Sequence, residues 1–199
     1  MNLINQRRKS TETLVLGAVM TALVIVLQLL GTFTAIFGPF ATAVGLIPII
    51  IGAAMCGAGV GAWLGFVFGV VVLLTNASAF LAISVPGTIV TVLLKGVACG
   101  LVAGLVYKLL EKKNKYLAVL AAAIACPIVN TGIFVLGCFA FFFEELTKWG
   151  VAEGYGSTVE YIFLFLVGTN FIVELVTNLI LAPTIVRLLD LRKTVVKNK

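Results

Sequence analysis

The stretch from Glu160 to Leu189 reads EYIFLFLVGTNFIVELVTNLILAPTIVRLL and decides the fold. An apolar run of this length can cross a bilayer, which takes roughly 20 residues at about 1.5 Å rise each. Within the run, Asn170, Glu174 and Asn178 recur every four residues and therefore share one helical face. A carboxylate at that depth is unfavourable unless it is paired or faces a wet cavity. We therefore expect the polar face of this helix to meet other helices.

The composition is that of an integral membrane protein. Of 199 residues, 61% are hydrophobic and only 11% are charged, and no charged side chain occurs between Thr13 and Leu94. A soluble chain of this size could not bury so much apolar surface. The absence of histidine excludes His-based metal sites and Ser-His or Cys-His catalysis. We expect no catalytic residue, no metal site and no cofactor.

The hydropathy pattern predicts a single transmembrane domain, 1–199, which is an all-α compact bundle of six helices. The uncharged block 41–75 is too long for one crossing, and it divides at the glycine-rich break Cys56–Gly59. The run Leu14–Leu30 is read as a retained first helix, because it exceeds a signal-peptide apolar region and lacks a convincing cleavage site. A loop, 144–158, precedes the last helix. The predicted spans are about 12–30, 41–56, 59–75, 86–110, 116–143 and 160–189.

The basic residues predict the orientation. All but two of the 14 basic residues lie in three clusters: before helix 1, around the turn after helix 4, and after helix 6. Six spans place these clusters on one side, which the positive-inside rule makes cytoplasmic. Both termini are then cytoplasmic, in what we expect to be a bacterial plasma membrane. The net charge of +6 reflects this orientation, and we expect no nucleic-acid partner.

Small residues recur every four positions on two of the predicted helices. In lipid, such spacing lets helix backbones approach closely. We favour packing within the bundle as its role, with self-assembly of a channel as the alternative. A third small-residue patch, formed by Gly17, Ala18 and Ala22 on helix 1, could equally pack inside the bundle or face a partner. The glycines of the two repeats are Gly57, Gly61, Gly65 and Gly69, and then Gly96, Gly100 and Gly104.

Polar side chains from three predicted helices reach one depth. Counted from the outer helix ends at about 1.5 Å per residue, Lys95, Asn130 and Asn170 lie roughly 14–16 Å deep. Glu174 lies one helical turn below Asn170, so it is about 6 Å farther from the outer end at the same rise per residue. In one interpretation, Lys95 and Glu174 form a buried ion pair and the asparagines satisfy the remaining donors and acceptors. In the interpretation that we favour, the four side chains line an outward-facing cavity that binds a small polar solute.

With these features the chain resembles, over essentially its whole length, the substrate-binding S component of an energy-coupling factor (ECF) transporter. Part of the resemblance is the predicted topology, with six helices and both ends inside. The segment Ala18-Val-Met-Thr-Ala22 matches the AxxxA motif that the family carries in helix 1. The glycine-rich Leu94–Gly104 of helix 4 and the polar helix 6, ending Leu181–Arg187, complete the match.

The resemblance implies a receptor for a water-soluble vitamin or related solute, bound from outside mainly by helices 4–6 and the loop after helix 1. It further implies coupling to a membrane T subunit and two cytoplasmic ATPase subunits, with the S component toppling in the bilayer to release its load. Carried over to this chain, Ala18 and Ala22 would contact the T subunit. The sequence contains no phosphate-cradling GxxxxGK[ST] motif, which agrees with energy supplied by a partner.

Two other functions stay open at this point, an autonomous small-solute channel or facilitator and a small intramembrane enzyme. The substrate is open too. Lys95 suits a carboxylate such as that of pantothenate, unless Glu174 already neutralises the lysine. Riboflavin would instead require aromatic stacking. The aromatic residues that could supply it are Phe33, Phe37, Phe40, Trp149 and Tyr161.

Overall fold

The computed structural model describes the backbone of residues 2–34 and 44–197, and the side chains of residues 11–32 and 45–191. Every regular element in these ranges is helical. A 3-10 turn, Val44–Leu46, precedes α2, and π-helical segments Cys138–Phe142 and Tyr161–Gly168 join α6 to α7 and α8 to α9. The helices are α1 (Asn2–Thr34), α2 (Ile47–Cys56), α3 (Ala58–Thr75), α4 (Ser78–Ile83), α5 (Val85–Leu110), α6 (Lys115–Gly137), α7 (Phe143–Ala152), α8 (Thr158–Glu160) and α9 (Thr169–Lys197).

Five helical stretches among the described residues are long and apolar enough to cross a membrane: 11–32, 58–75, 85–110, 115–152 and 158–191. The second predicted span, 41–56, is represented by the ten-residue helix α2. Ten residues rise about 15 Å, or half the hydrocarbon thickness. The span would begin outside the described residues, so a sixth crossing stays a prediction.

Local capping explains where the central helices begin. Pro86 lies in the first turn of α5, and the Ser84 side chain accepts a hydrogen bond from the Gly87 amide at 3.2 Å. The Asn114 side chain caps α6 in the same way, by accepting from two backbone amides. Gly57, with a positive φ of 96°, separates α2 from α3. The start of α5 and the break before α3 therefore come within one residue of the positions that turn chemistry predicts.

The predicted loop 144–158 is wrong for residues 144–152, and only residues 153–157 form a non-helical connection. The fifth predicted helix continues past residue 143 through a π-helical segment and then through α7 to Ala152. Glu144 and Glu145 lie in the first turn of α7, where negative charge is favourable at a helix N-terminus. The charged residues that suggested a loop thus lie on the more exposed face of a short amphipathic helix.

The glycine repeats pack against each other inside the bundle. A methyl group added at Gly65 would overlap the carbonyl oxygen of Gly96, and one added at Gly100 would overlap that of Gly61. One turn farther along, a methyl group at Gly69 would lie 3.0 Å from the carbonyl oxygen of Val92. Helices α3 and α5 therefore run antiparallel with their backbones in contact. Packing within the bundle, the interpretation favoured from the sequence, is confirmed.

Contacts elsewhere give the direction of the other helices. The Trp63 indole donates to Thr21 at 3.2 Å and Thr32 donates to Asn76 at 2.9 Å, so α1 runs parallel to α3. At the opposite end of the bundle, the start of α6 is tied to the last turns of α9 by an ion pair between Lys115 and Asp190. The turn 111–114 and the start of α1 therefore lie at one end, and residues 76–77 lie at the other.

Two hydrophobic clusters fill the bundle at different levels. The larger cluster includes Ile49, Ala122 and Ile185 and occupies the end near the turn 111–114. The smaller cluster, with Phe142 and Tyr161 among its members, occupies the opposite end. Between the two clusters, several helices contribute polar side chains that belong to neither cluster.

Candidate functional site

A cavity of about 300 Å³ lies between these two clusters. Its walls come from α1, α3, α5, α6 and α9, and the short helix α4 contributes Phe80. Asn76 and Ala77 also line it, and they lie in the connection between α3 and α4. The cavity therefore reaches toward the end of the bundle opposite the turn 111–114.

All four predicted binding residues line this one cavity. Lys95 comes from α5, Asn130 from α6, and Asn170 and Glu174 from α9. Asn130 and Glu174 are buried, with 5% and 8% of their surface exposed, whereas Lys95 is partly buried and Asn170 is exposed. The helical arithmetic thus identified side chains that the fold brings together. Their role in substrate binding stays a prediction.

Lys95 carries its charge over an aromatic ring. Its Nζ atom lies 5.0 Å from the centre of the Phe134 ring, a distance at which a cation is attracted to the face of an aromatic system. The two ion pairs that join described side chains are Lys115 with Asp190 and Lys148 with Glu145, so neither includes Lys95. The structure therefore does not show the direct ion pair with Glu174 that one interpretation of the sequence required.

Asn130 and Glu174 both line the cavity, from α6 and α9. One oxygen of the Glu174 carboxylate, Oε2, is buried without a hydrogen-bond partner, and so is Oδ1 of Asn130. A buried polar atom without a partner typically destabilises a fold by about 1–3 kcal/mol, so most buried polar atoms in proteins are hydrogen-bonded. Unpaired acceptors beside a cavity are the arrangement expected where a ligand supplies the missing donors.

Three polar side chains that line the cavity were missed in the sequence: Gln28, Asn76 and Thr131. Gln28 of α1 is only 3% exposed, and its Oε1 atom has no hydrogen-bond partner. Asn76, at the end of α3, lines the cavity and accepts a hydrogen bond from Thr32. Gln28 is the only amide side chain in the apolar run 13–32, and this could have marked it as an inward-facing residue.

The aromatic residues of the cavity differ from those proposed for stacking. Phe68, Phe80, Phe134 and Phe171 line it. The two candidates that the structure describes, Trp149 and Tyr161, instead belong to the hydrophobic cluster at the adjacent end of the bundle. The other three candidates lie outside the described side chains; they are Phe33, Phe37 and Phe40.

Two residues of the small-residue patch of α1, Ala18 and Ala22, lie on the surface of the bundle, whereas Gly17 is half-buried beside Val60 of α3. Ala18 and Ala22 are both exposed, and so are their neighbours Val19 and Leu23. The alternative in which these alanines pack inside the bundle is therefore wrong. Contact with a partner stays a prediction for both alanines. Because Gln28 lies on the same helix with its side chain buried at the cavity, α1 joins the cavity to this exposed surface.

Comparison with known protein families gave one match. The model of the family described as "ECF transporter, substrate-specific component" matches residues 12–186. The match covers all the residues that line the cavity, together with Ala18 and Ala22. No curated protein sequence and no solved structure matched the chain.

Proposed function

Because the chain belongs to the family of ECF transporter substrate-specific components, we propose that it binds a water-soluble vitamin or related small solute from outside the cell for ATP-driven uptake. It is a multi-pass membrane protein, and members of this family are transport proteins. The proposal assigns the cavity between α5, α6 and α9 as the binding site. It assigns the driving energy to a partner module.

The observation that carries the proposal is the convergence of Lys95, Asn130, Asn170 and Glu174 on one cavity. A charged residue inside a membrane bundle normally faces a functional cavity or a specific partner. The Lys95 ammonium lies over the Phe134 ring and forms no ion pair with a carboxylate among the described side chains. Its N–H groups are therefore available for a ligand. A cavity of about 300 Å³ has room for a small solute.

Orientation supports loading from outside. The basic residues around the turn 111–114 and at both chain ends would be cytoplasmic by the positive-inside rule. The cavity reaches toward the opposite end of the bundle, which would then face outward. The proposal includes six crossings with both termini in the cytoplasm, in a single transmembrane domain.

The partners in this proposal are a membrane T subunit and two cytoplasmic ATPase subunits. The sequence has no phosphate-cradling motif of its own, which agrees with ATP hydrolysis by another chain and would also suit a channel or facilitator. Ala18 and Ala22, which are exposed on α1, are small side chains one helical turn apart, a spacing at which another helix can pack closely. These two residues are the proposed contact with the T subunit.

An autonomous channel or facilitator is less well supported. The glycine repeats that could have assembled such a channel are occupied by contact between α3 and α5 within one chain. They are therefore not available as an assembly surface.

Reconstitution tests the proposal. The solute that accompanies the purified protein would be identified by native mass spectrometry, and its uptake measured in liposomes with and without the T subunit and ATPases. We expect uptake only with the complete complex and ATP. Uptake by this chain alone without ATP would show a facilitator instead.

A further inference from the structure

We propose that the cavity selects a net-neutral, planar heteroaromatic solute whose polar edge carries both an N–H donor and a carbonyl acceptor. This inference rests on the proposed function, since it names the substrate class of that same site. It follows from the charges, the unpaired acceptor atoms and the aromatic residues of the cavity.

The first argument is the balance of charge. The cavity contains one basic and one acidic side chain, Lys95 and Glu174, and they do not form a direct ion pair. An anionic ligand at Lys95 would bring a second negative charge close to Glu174. A cationic ligand at Glu174 would bring a second positive charge close to Lys95. Because like charges repel strongly where water is scarce, a ligand without net charge fits both side chains best.

The second argument is the set of unpaired acceptors. Oε2 of Glu174, Oδ1 of Asn130 and Oε1 of Gln28 have no hydrogen-bond partner, and each residue is more than nine-tenths buried beside the cavity. Carboxylate oxygens accept only, so Glu174 calls for a donor from the ligand. Lys95 offers N–H donors, which call for an acceptor such as a carbonyl oxygen. A cyclic or primary amide carries both groups on one edge.

The third argument is the shape of the apolar lining. Phe68, Phe80, Phe134 and Phe171 surround the polar groups with aromatic rings, which pack well against flat heterocycles. The volume of about 300 Å³ is near the lower end of the range for ligand pockets, so we expect one or two rings.

Three probes with one ring and different charge test this inference. Nicotinamide is neutral with an amide edge, nicotinate is an anion, and 3-(aminomethyl)pyridine is a cation at neutral pH. Binding to the purified full-length protein would be measured by isothermal titration calorimetry. We expect nicotinamide to bind about tenfold more tightly than either charged probe, a difference of about 1.4 kcal/mol. Equal binding, preference for a charged probe, or no binding of any probe would overturn the inference.

Two substitutions should move the preference in opposite directions. Glu174→Gln leaves the cavity with the charge of Lys95 alone, so nicotinate should become the preferred probe. Lys95→Met leaves the charge of Glu174 alone, so the cationic probe should be preferred. A melting curve of each variant checks its folding, and the wild-type ranking decides if either variant fails to fold. An unchanged ranking in two folded variants would contradict the inference.

Failure here is distinguishable from failure of the proposed function. If the solute that accompanies the purified protein proves to be an anion and still requires ATP and the partner subunits for uptake, the transporter function stands. Only the inferred substrate class is then wrong.

Discussion

Helix α5 contributes to two regions with opposite properties: a close-packed contact with α3 and a polar cavity. On one side, Gly96 and Gly100 lie against the glycines of α3 so closely that neither position has room for a methyl group. On the other side, Lys95 faces a cavity in which several polar atoms lack partners. In lipid, close packing supplies stability that water would otherwise supply through the hydrophobic effect. The comparison indicates that close packing of α3 against α5 holds these two helices together, while the cavity beside them stays polar and open.

The largest effect is expected from adding volume to the sealed contact. Gly65→Val would force side-chain carbon into the backbone carbonyl of Gly96, which cannot move without separating the two helices. We expect a loss of more than about 3 kcal/mol of folding stability, seen as a lower melting temperature and a poor yield of monodisperse protein. Gly132→Val is the matched control, because nothing lies within 4 Å of a Cβ atom there. Similar melting of the two variants would contradict close packing as the source of stability.

The next effect concerns the cavity. Lys95→Met removes the cation over Phe134 and leaves Glu174 without an opposite charge nearby. We expect binding of the cognate solute to weaken by about 2–5 kcal/mol, measured by calorimetry on protein whose folding is checked by melting. Lys108→Met, at an exposed position of the same helix, should bind as the wild type does. Equal losses in both variants would point to a general effect of charge.

A smaller effect is expected at Asn170. This side chain lines the cavity but is exposed, and its amide donates only a long hydrogen bond of 3.5 Å to the carbonyl of Leu166. Asn170→Ala should therefore weaken binding by about 0.5–1.5 kcal/mol, the usual contribution of one hydrogen bond. The neighbouring exposed residue provides a control, Thr169→Ala, with no expected change. A loss as large as that of Lys95→Met would mean that Asn170 contributes more than its position indicates.

Ligand binding should not change at all when the outer surface of α1 is altered. Ala18→Leu or Ala22→Leu adds bulk to an exposed position away from the cavity. We expect unchanged affinity for the solute in the isolated protein but less T subunit in pull-down and slower uptake. Val176→Leu, on the exposed side of α9, controls for bulk that faces lipid. Weaker solute binding by the α1 variants would contradict the separation of cavity and partner surface.

The parts of the fold that follow a simple repeat were predictable. A spacing of four residues placed the glycines of α3 and α5 on facing sides, and rise per residue brought Lys95, Asn130 and Asn170 to one cavity. Both results depend only on helical geometry, which the sequence determines locally.

The missed parts depend on tertiary packing. Gln28 contributes to the cavity because of the way α1 packs against the bundle, and its own helix is otherwise exposed along much of its length. Helix α7 was hidden because Glu144, Glu145 and Lys148 resemble a polar connection, and only its packing shows that Leu146 is buried. Helix α2 covers ten residues of the second predicted span, 41–56, and hydropathy alone does not determine where a helix begins.

A structure of the protein with its solute tests the location of the binding site most directly. We predict density for the solute between Lys95, Asn130 and Glu174, with a further contact from Gln28 of α1. Density confined to another part of the bundle, with this cavity filled only by water, would contradict the proposed site.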